Sequence, residues 1–235
     1  MKVLLVRPQA PNKLSFTKIL DNEPLELEYL HTALQQKGIE DYIYDGLVEF
    51  DIEEAIRREK PDVIAITGYI TQETLMIGYC RLAKRINPAI VTIVGGVHAQ
   101  LNYTRFYCDE IDYVYRSECV WDFVKLVSLH QGSTHPEQPS LHPGGIDAKA
   151  LKEINGLCFR GEKGFMENEL RAVDIDSLPI PDRSFFYRHR SSYRYLNLTE
   201  VATIKTAFSC PYSCNFCYCT LLSGGRYQAR DIELV

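Results

Sequence analysis

Four cysteines crowd the carboxyl-terminal end of this chain in the run SCPYSCNFCYC, at positions 210, 214, 217 and 219. Cys210, Cys214 and Cys217 form C-x3-C-x2-C, so three thiolates can converge on one inorganic centre if the loop folds back on itself. The proline, tyrosine, serine and asparagine between them suit such a loop. A ferredoxin-type iron–sulfur site uses four cysteines, and three would leave one iron open. Open coordination marks a reactive centre rather than a purely structural one. Zinc would need a fourth closing ligand, for which Cys219 is at hand. A C-x-C pair is a poor tetrahedral bite beside the longer spacers of zinc motifs, so Cys219 reads as a buried thiol or a bystander. Cys80, Cys108, Cys119 and Cys158 stand singly among apolar or aromatic neighbours and read as small buried hydrophobes.

The elements that must carry this loop alternate regularly. Lys2 to Arg7 is an apolar run that reads as a buried strand. Pro24 to Lys37 reads as a helix stopped by Gly38, Asp41 to Val48 as a strand, and Asp51 to Lys60 as a charged helix with an aspartate cap. Asp62 to Ile70 (DVIAITGYI) and Ala89 to Val94 (AIVTIV) have the β-branched composition of strands covered on both faces, with a helix over Gln72 to Ile86 between them. Tyr113 to Arg116 is a short fifth strand, and Glu118 to His130 an amphipathic helix. Strands alternating with helices predict a doubly wound α/β domain on a parallel five-stranded sheet. Ligands of such sheets sit beyond the carboxyl ends of the strands. That rule singles out Arg7 and Pro8, Asp45, Thr67 to Tyr69, the Gly95–Gly96 pair with His98, and Arg116 to Glu118. Glycines at a strand end let a ligand approach the backbone closely. His98 by itself fits a satisfied structural histidine as well as a ligand contact.

Beyond the domain, Ser128 to Gly145 is rich in proline, glycine and histidine and reads as a surface linker. Asn155 to Arg171 looks like a hairpin about a Gly161–Gly164 turn, and Asp174 to Arg183 like an extended, proline-stiffened segment. Val201 to Phe208 (VATIKTAF) is expected to be a strand that runs directly into the cysteine loop. The chain has 235 residues, 46% hydrophobic and 24% charged, which is ordinary for a globular protein with a real core. With 26 Lys+Arg against 31 Asp+Glu the net charge is -5, which speaks against a nucleic-acid partner. The first residues carry no secretory signal pattern, and no run reaches the roughly 18 apolar residues of a membrane span. A cytoplasmic setting, in which thiols stay reduced, is the expectation.

The cysteine loop resembles that of the radical S-adenosylmethionine (SAM) enzymes, in which C-x3-C-x-(aromatic)-C holds a 4Fe–4S cluster. The resemblance implies that Cys210, Cys214 and Cys217 are the cluster ligands and that the aromatic before the third, Phe216, packs near the adenine of SAM. In that family the open iron chelates SAM, and an electron from the cluster cleaves it to a 5′-deoxyadenosyl radical. Further stretches resemble the cobalamin-binding branch of the same superfamily: PLELEYLHTALQQKG, ITGYIT, IVGGVHAQ, DSLPIPDR and TIKTAFSCPYSCNFC, in the family's order. The resemblance implies a Rossmann-like cobalamin-binding domain over 1–130, a linker and hairpin over 131–198, and over 199–235 the beginning of a partial (β/α)6 barrel that the chain does not finish. It implies corrinoid contacts from Pro8, Thr67, Tyr69, Gly95, Gly96, His98, Arg116 and Glu118, with His98 part of the turn around the corrinoid. The loop after the first strand, RPQAPNKLS, lacks the D-x-H-x-x-G of domains that ligate cobalt through histidine, so cobalamin would bind without a histidine from this loop. The family's frequent R-G-E-G-E after the fifth strand appears as Arg116-Ser117-Glu118-Cys119-Val120, which weakens the corrinoid contacts at that edge. The implied activity of the whole enzyme is methyl transfer to an unactivated carbon or an oxidative cyclisation of a small-molecule substrate, with electrons from a reductant such as a flavodoxin or ferredoxin. Two other readings stay open: a non-catalytic corrinoid-binding module, and a radical SAM protein whose Rossmann-like domain no longer binds cobalamin.

Overall fold

A computed structural model describes residues 1–9, 20–132 and 145–235. The chain opens with β1 (Lys2–Arg7), a two-residue strand β2 (Leu20–Asp21), helix α1 (Leu25–Gln36), β3 (Glu40–Asp45) and α2 (Ile52–Glu59). It continues through β4 (Val63–Ile66), α3 (Glu73–Ile86), β5 (Val91–Val94), α4 (Gly96–Asn102), β6 (Tyr113–Tyr115) and α5 (Val120–Gly132). After residue 144 come α6 (Ala148–Lys152), β7 (Leu157–Gly161), β8 (Gly164–Glu167), α7 (Ser184–His189), β9 (Arg194–Tyr195), β10 (Leu198–Thr199), β11 (Ala207–Phe208) and β12 (Gln228–Ala229).

The alternation of the first strands decides the layers. Val3 and Leu5 of β1 pack into one apolar cluster with Leu27 and Leu34 of α1 and with Phe123 and Val127 of α5. Leu4 and Val6 point the other way, onto Ile52 and Ile56 of α2 and Met76 and Cys80 of α3. A strand buried on both faces is mostly apolar along its length, as β1 and β4 are; in β5 the buried Thr92 breaks the run and donates its hydroxyl to the Glu110 carbonyl at 2.8 Å. Asp51 caps α2 by accepting the Glu54 N–H at 2.9 Å, as its position in the sequence predicts.

The main sheet runs in the order β3-β1-β4-β5-β6-β7-β8. The first five strands are mutually parallel, which is the doubly wound sheet expected, and the chain reverses its winding direction between β1 and β4. The expectation of five strands is corrected to seven among the described residues. The hairpin β7–β8 does not stand apart in a linker; it adds two antiparallel strands beside β6. Leu157 and Phe159 enter the same core as α1 and α5, and pairing with β7 closes a sheet edge that β6 would otherwise leave bare. The linker expected over 128–145 begins later than the composition suggests, because α5 continues to Gly132; the rest of it, 133–144 with His135 and His142, lies outside the described residues. Positions 10–15 of the loop after β1 also lie outside them.

The carboxyl-terminal third wraps back over the first domain. The Asp182 N–H donates to Thr32 Oγ1 at 2.7 Å, Phe186 N–H to Glu28 Oε1 at 3.1 Å, and Tyr193 Oη–H to Asp45 Oδ2 at 2.7 Å. The strand expected over 201–208 is reduced to Ala207–Phe208, since a strand exists by pairing and only Gln228–Ala229 pairs with it among the described residues. The last described element is a single 3-10 turn, Ile232–Leu234. Among the described residues no helix is long and apolar enough to cross a membrane.

Candidate functional site: a cavity at the strand ends and the cysteine loop beside it

The carboxyl ends of β1, β4, β5 and β6 open into a cavity of about 310 Å³ at the point where the winding reverses. Its floor is built by Ile66 to Tyr69 after β4 and by Gly95 to Val97 after β5, and α1 and α5 form a wall. Leu178, Lys205 and Phe208 reach in from the carboxyl-terminal third. The glycines have a steric reason. Gly96 has φ of +84°, and a Cβ there would stand 2.2 Å from Thr67 Oγ1; a Cβ on Gly68 would stand 2.8 Å from Met76 Sδ. Side chains at these two positions would fill the space or push the strand ends apart.

Polar groups at the cavity are few and mostly paired. Arg7 donates from Nε to Asp45 Oδ1 at 2.9 Å and from Nη1 to the Asn22 carbonyl at 2.6 Å, and its Nη2 completes a two-pronged pair with Asp45. Asp45 is itself buried and also takes the Tyr193 hydroxyl. Lys205 Nζ lies 3.0 Å from Glu118 Oε2 and over the Phe208 ring. Glu26, in the first turn of α1, also faces the cavity.

The cysteine loop adjoins this space. Phe208, which lines the cavity, is two residues before Cys210, and the 3-10 segment Tyr218–Gly225 after Cys217 packs against α4, the helix begun by the glycine pair. Cys214 is exposed and Cys210 and Cys217 half-buried. The thiols of Cys217 and Cys219 are in hydrogen-bond contact, which, with burial, holds Cys219 above the usual thiol range. Among the described residues no three His, Cys, Asp or Glu side chains are gathered closely enough to hold a metal ion. The donor set nevertheless suits a thiolate-bound cluster in chemistry and in its place on one loop.

Comparison with known proteins gives this arrangement relatives. Residues 19–119 match the family model for the B12 binding domain. An uncharacterized methyltransferase of Pyrococcus horikoshii is 28% identical over all of this chain, which corresponds to 49% of the relative. An anaerobic magnesium-protoporphyrin IX monomethyl ester cyclase of Cereibacter sphaeroides is 24% identical over 83% of this chain and 31% of the cyclase. The chain is similar to cobalamin-binding radical SAM enzymes. Its fold agrees with the solved structure of one, the cobalamin-dependent S-adenosylmethionine radical enzyme OxsB with aqua-cobalamin and S-adenosylmethionine bound, at a TM-score of 0.72 and 18% identity over 99% of this chain and 30% of that one. The chain thus spans less than half the length of the relatives it matches.

The cavity has features that suit a corrinoid. It is largely apolar, has a rim cleared of side chains by glycine, and has no histidine in its lining among the described residues. Of the residues for which corrinoid contacts were expected, Thr67, Tyr69, Gly95, Gly96 and Glu118 line it, as do Arg7, Gly68 and Ser117 of the strand ends. Pro8, His98 and Arg116 do not. Pro8 is buried and its carbonyl accepts Gln72 Nε2 at 2.7 Å. Arg116 is turned to the hairpin, where Nη2 donates to the Asn168 carbonyl at 2.7 Å and the guanidinium lies 4.4 Å from the Tyr103 ring centroid. His98 is buried in a polar cluster, with Nε2 2.6 Å from Glu73 Oε2 and Nδ1 3.2 Å from Asn102 Nδ2. Arg105 grips the same Glu73 carboxylate, and Arg105 with His98 holds it down to about 2. Phe216 is 88% exposed and touches neither wall of the cavity. Sequence reasoning missed Glu26, Lys205 and Phe208, which looked like a helix start and an interior strand; for Lys205 and Phe208 the signal lay in their place just before the cysteine loop.

Proposed function

We propose that this chain is the amino-terminal part of an enzyme that binds cobalamin in the strand-end cavity and cleaves SAM reductively at a 4Fe–4S cluster held by Cys210, Cys214 and Cys217. The observation that carries the reading is the shared wall: Phe208 lines the cavity and leads within two residues to the cysteine loop, and the 3-10 segment that follows the loop, Tyr218–Gly225, packs on α4. Two reactive centres placed so would act on one small molecule, by methyl transfer or by oxidative cyclisation, with a flavodoxin-like or ferredoxin-like protein as electron donor. The names of the relatives, a methyltransferase and a cyclase, support both outcomes and do not choose between them. When bound, cobalamin and the cluster supply methyl-carrier and one-electron chemistry.

The chain's own residues would do the binding and positioning. Thr67 to Tyr69 and Gly95–Gly96 offer backbone to the ligand at close range, and the Arg7–Asp45–Tyr193 chain of hydrogen bonds holds the end of β1 rigid beneath it. Leu178 and Phe208 cover the apolar face and exclude water. Cys219, in contact with Cys217, has no assigned part in binding.

The reading is tested on the purified chain. Titration with hydroxocobalamin should shift the corrinoid absorption spectrum and saturate at one equivalent. Anaerobic reconstitution with iron and sulfide should produce thiolate-to-iron charge-transfer absorption that Cys214→Ala abolishes and Cys219→Ala retains. No spectral shift with the corrinoid, or an unchanged iron–sulfur spectrum in Cys214→Ala, refutes the respective half of the reading.

A further inference from the structure

Glu26 is the cavity's unexplained polar group. It is exposed and lines the cavity, whereas Glu28 two residues on is buried in the body of the domain. Apart from its own backbone N–H, no described residue donates a hydrogen bond to its carboxylate. Surrounding protein pushes this carboxyl above the usual range, against the pull of Arg7 and Lys205.

Both nearby cations are engaged elsewhere. Arg7 gives its three donor nitrogens to Asp45 and the Asn22 carbonyl, and Lys205 is held by Glu118. A carboxylate on the wall of a largely apolar cavity keeps its hydrogen bonds to water only until a ligand fills the space, and that ligand must then supply the donor. The surroundings restrict its type. A cationic donor would meet Arg7 and Lys205, and an acid would meet Glu26 itself. A neutral amide N–H meets neither objection.

We propose that Glu26 is a specificity-determining residue of the cavity, accepting a hydrogen bond from a primary carboxamide of the ligand and turning away a carboxylate at the same place. The proposal rests on the cavity being the corrinoid site, and the corrin edge carries carboxamides of this kind.

The test uses the whole 235-residue chain, hydroxocobalamin, and the separated hydroxocobalamin monocarboxylic acids in which one side amide has become an acid, with binding read from the corrinoid spectrum. Wild type should bind hydroxocobalamin, and bind one acid isomer about tenfold or more weakly than the amide. Glu26→Gln, which keeps the volume and adds a donor, should bring that isomer to within about threefold of hydroxocobalamin. Glu26→Leu should weaken hydroxocobalamin itself by about tenfold, with an unchanged urea midpoint showing an intact fold. Wild type and Glu26→Gln ranking all ligands alike, or Glu26→Leu binding hydroxocobalamin as wild type does, overturns the proposal while leaving the cavity reading in place. Failure of wild type to bind hydroxocobalamin at all overturns the cavity reading, and this proposal with it.

Discussion

Raising the pH from about 5 to about 8 should loosen the fastening between α1 and the segment that crosses it, through one proton on Glu28. Glu23 and Glu28 lie side by side with fully buried side chains. Glu23 Oε1 takes Arg183 and the backbone and hydroxyl of Thr203, and Glu28 Oε1 takes the Phe186 N–H. The Oε2 atoms of both are left without a donor unless one carboxyl is protonated and gives its hydrogen to the other. Burial, and then the neighbouring Glu23, push Glu28 from 4.5 up to about 8. The folded protein therefore keeps a proton that the unfolded chain has released, so stability is full below about pH 4.5 and is lost as the pH climbs toward 8. At about 1.4 kcal/mol per tenfold change in proton affinity, the gap amounts to about 5 kcal/mol, of which about 4 fall between pH 5 and 8. The assay is urea unfolding at fixed ionic strength across that window, reading midpoint and slope. Glu28→Gln supplies a permanent N–H toward Glu23 and keeps an acceptor for Phe186, so most of the pH dependence should vanish. His31, whose proton is held by Asp41, loses stability in the same direction as the pH rises and remains in both proteins, so the comparison isolates Glu28. A Glu28→Gln variant with the full wild-type slope refutes the shared proton.

Two further outcomes follow from local geometry. Glu73, held down to about 2 by Arg105 and His98, contributes stability that is present above about pH 4.5 and lost as the pH falls toward 2, about 3 kcal/mol in all; acid denaturation of Glu73→Gln should lack this loss. Gly96→Ala should destabilise the chain by about 1–3 kcal/mol through its positive φ and the contact with Thr67, and weaken corrinoid binding, whereas Gly38→Ala, at φ of +67° with open space around it, should cost only the backbone strain; paired urea midpoints measure the difference.

What was legible in the sequence was local. The largely apolar runs of β1, β4 and β5, the Asp51 cap and the glycine stop after α1 are set by neighbours a few residues away, and the structure has them where the pattern puts them. Gly96 was legible because few other residues accept its positive φ and the close approach of Thr67. The attachment of β7 to β6 was not, since a hairpin's turn chemistry says nothing about which edge it will join. Nor was the buried carboxyl pair. Glu23 and Glu28 look like the ordinary acidic start of a helix, and their partners Arg183 and Thr203 lie 160 and 180 residues further on. His98, which from its place in the turn fitted a structural histidine as well as a ligand contact, is tied to Glu73 and Asn102, because the side-chain direction on α4 depends on a helix that the turn itself does not specify. In the cysteine loop, spacing shows what three thiols could hold, but thiols have no attraction for one another without a centre, so their gathering is not a property of the chain alone.

The wall contributed by Leu178, Lys205 and Phe208 means that the space at the strand ends is completed by residues from opposite ends of the chain. An occupant of that space would work as a molecular staple. Its binding energy would be added to folding by mass action, about 2.7 kcal/mol at a free concentration of one hundred times Kd. The melting temperature of the chain would then gauge how much ligand the cell supplies, and the carboxyl-terminal third would be the part most exposed to proteases whenever that supply runs short.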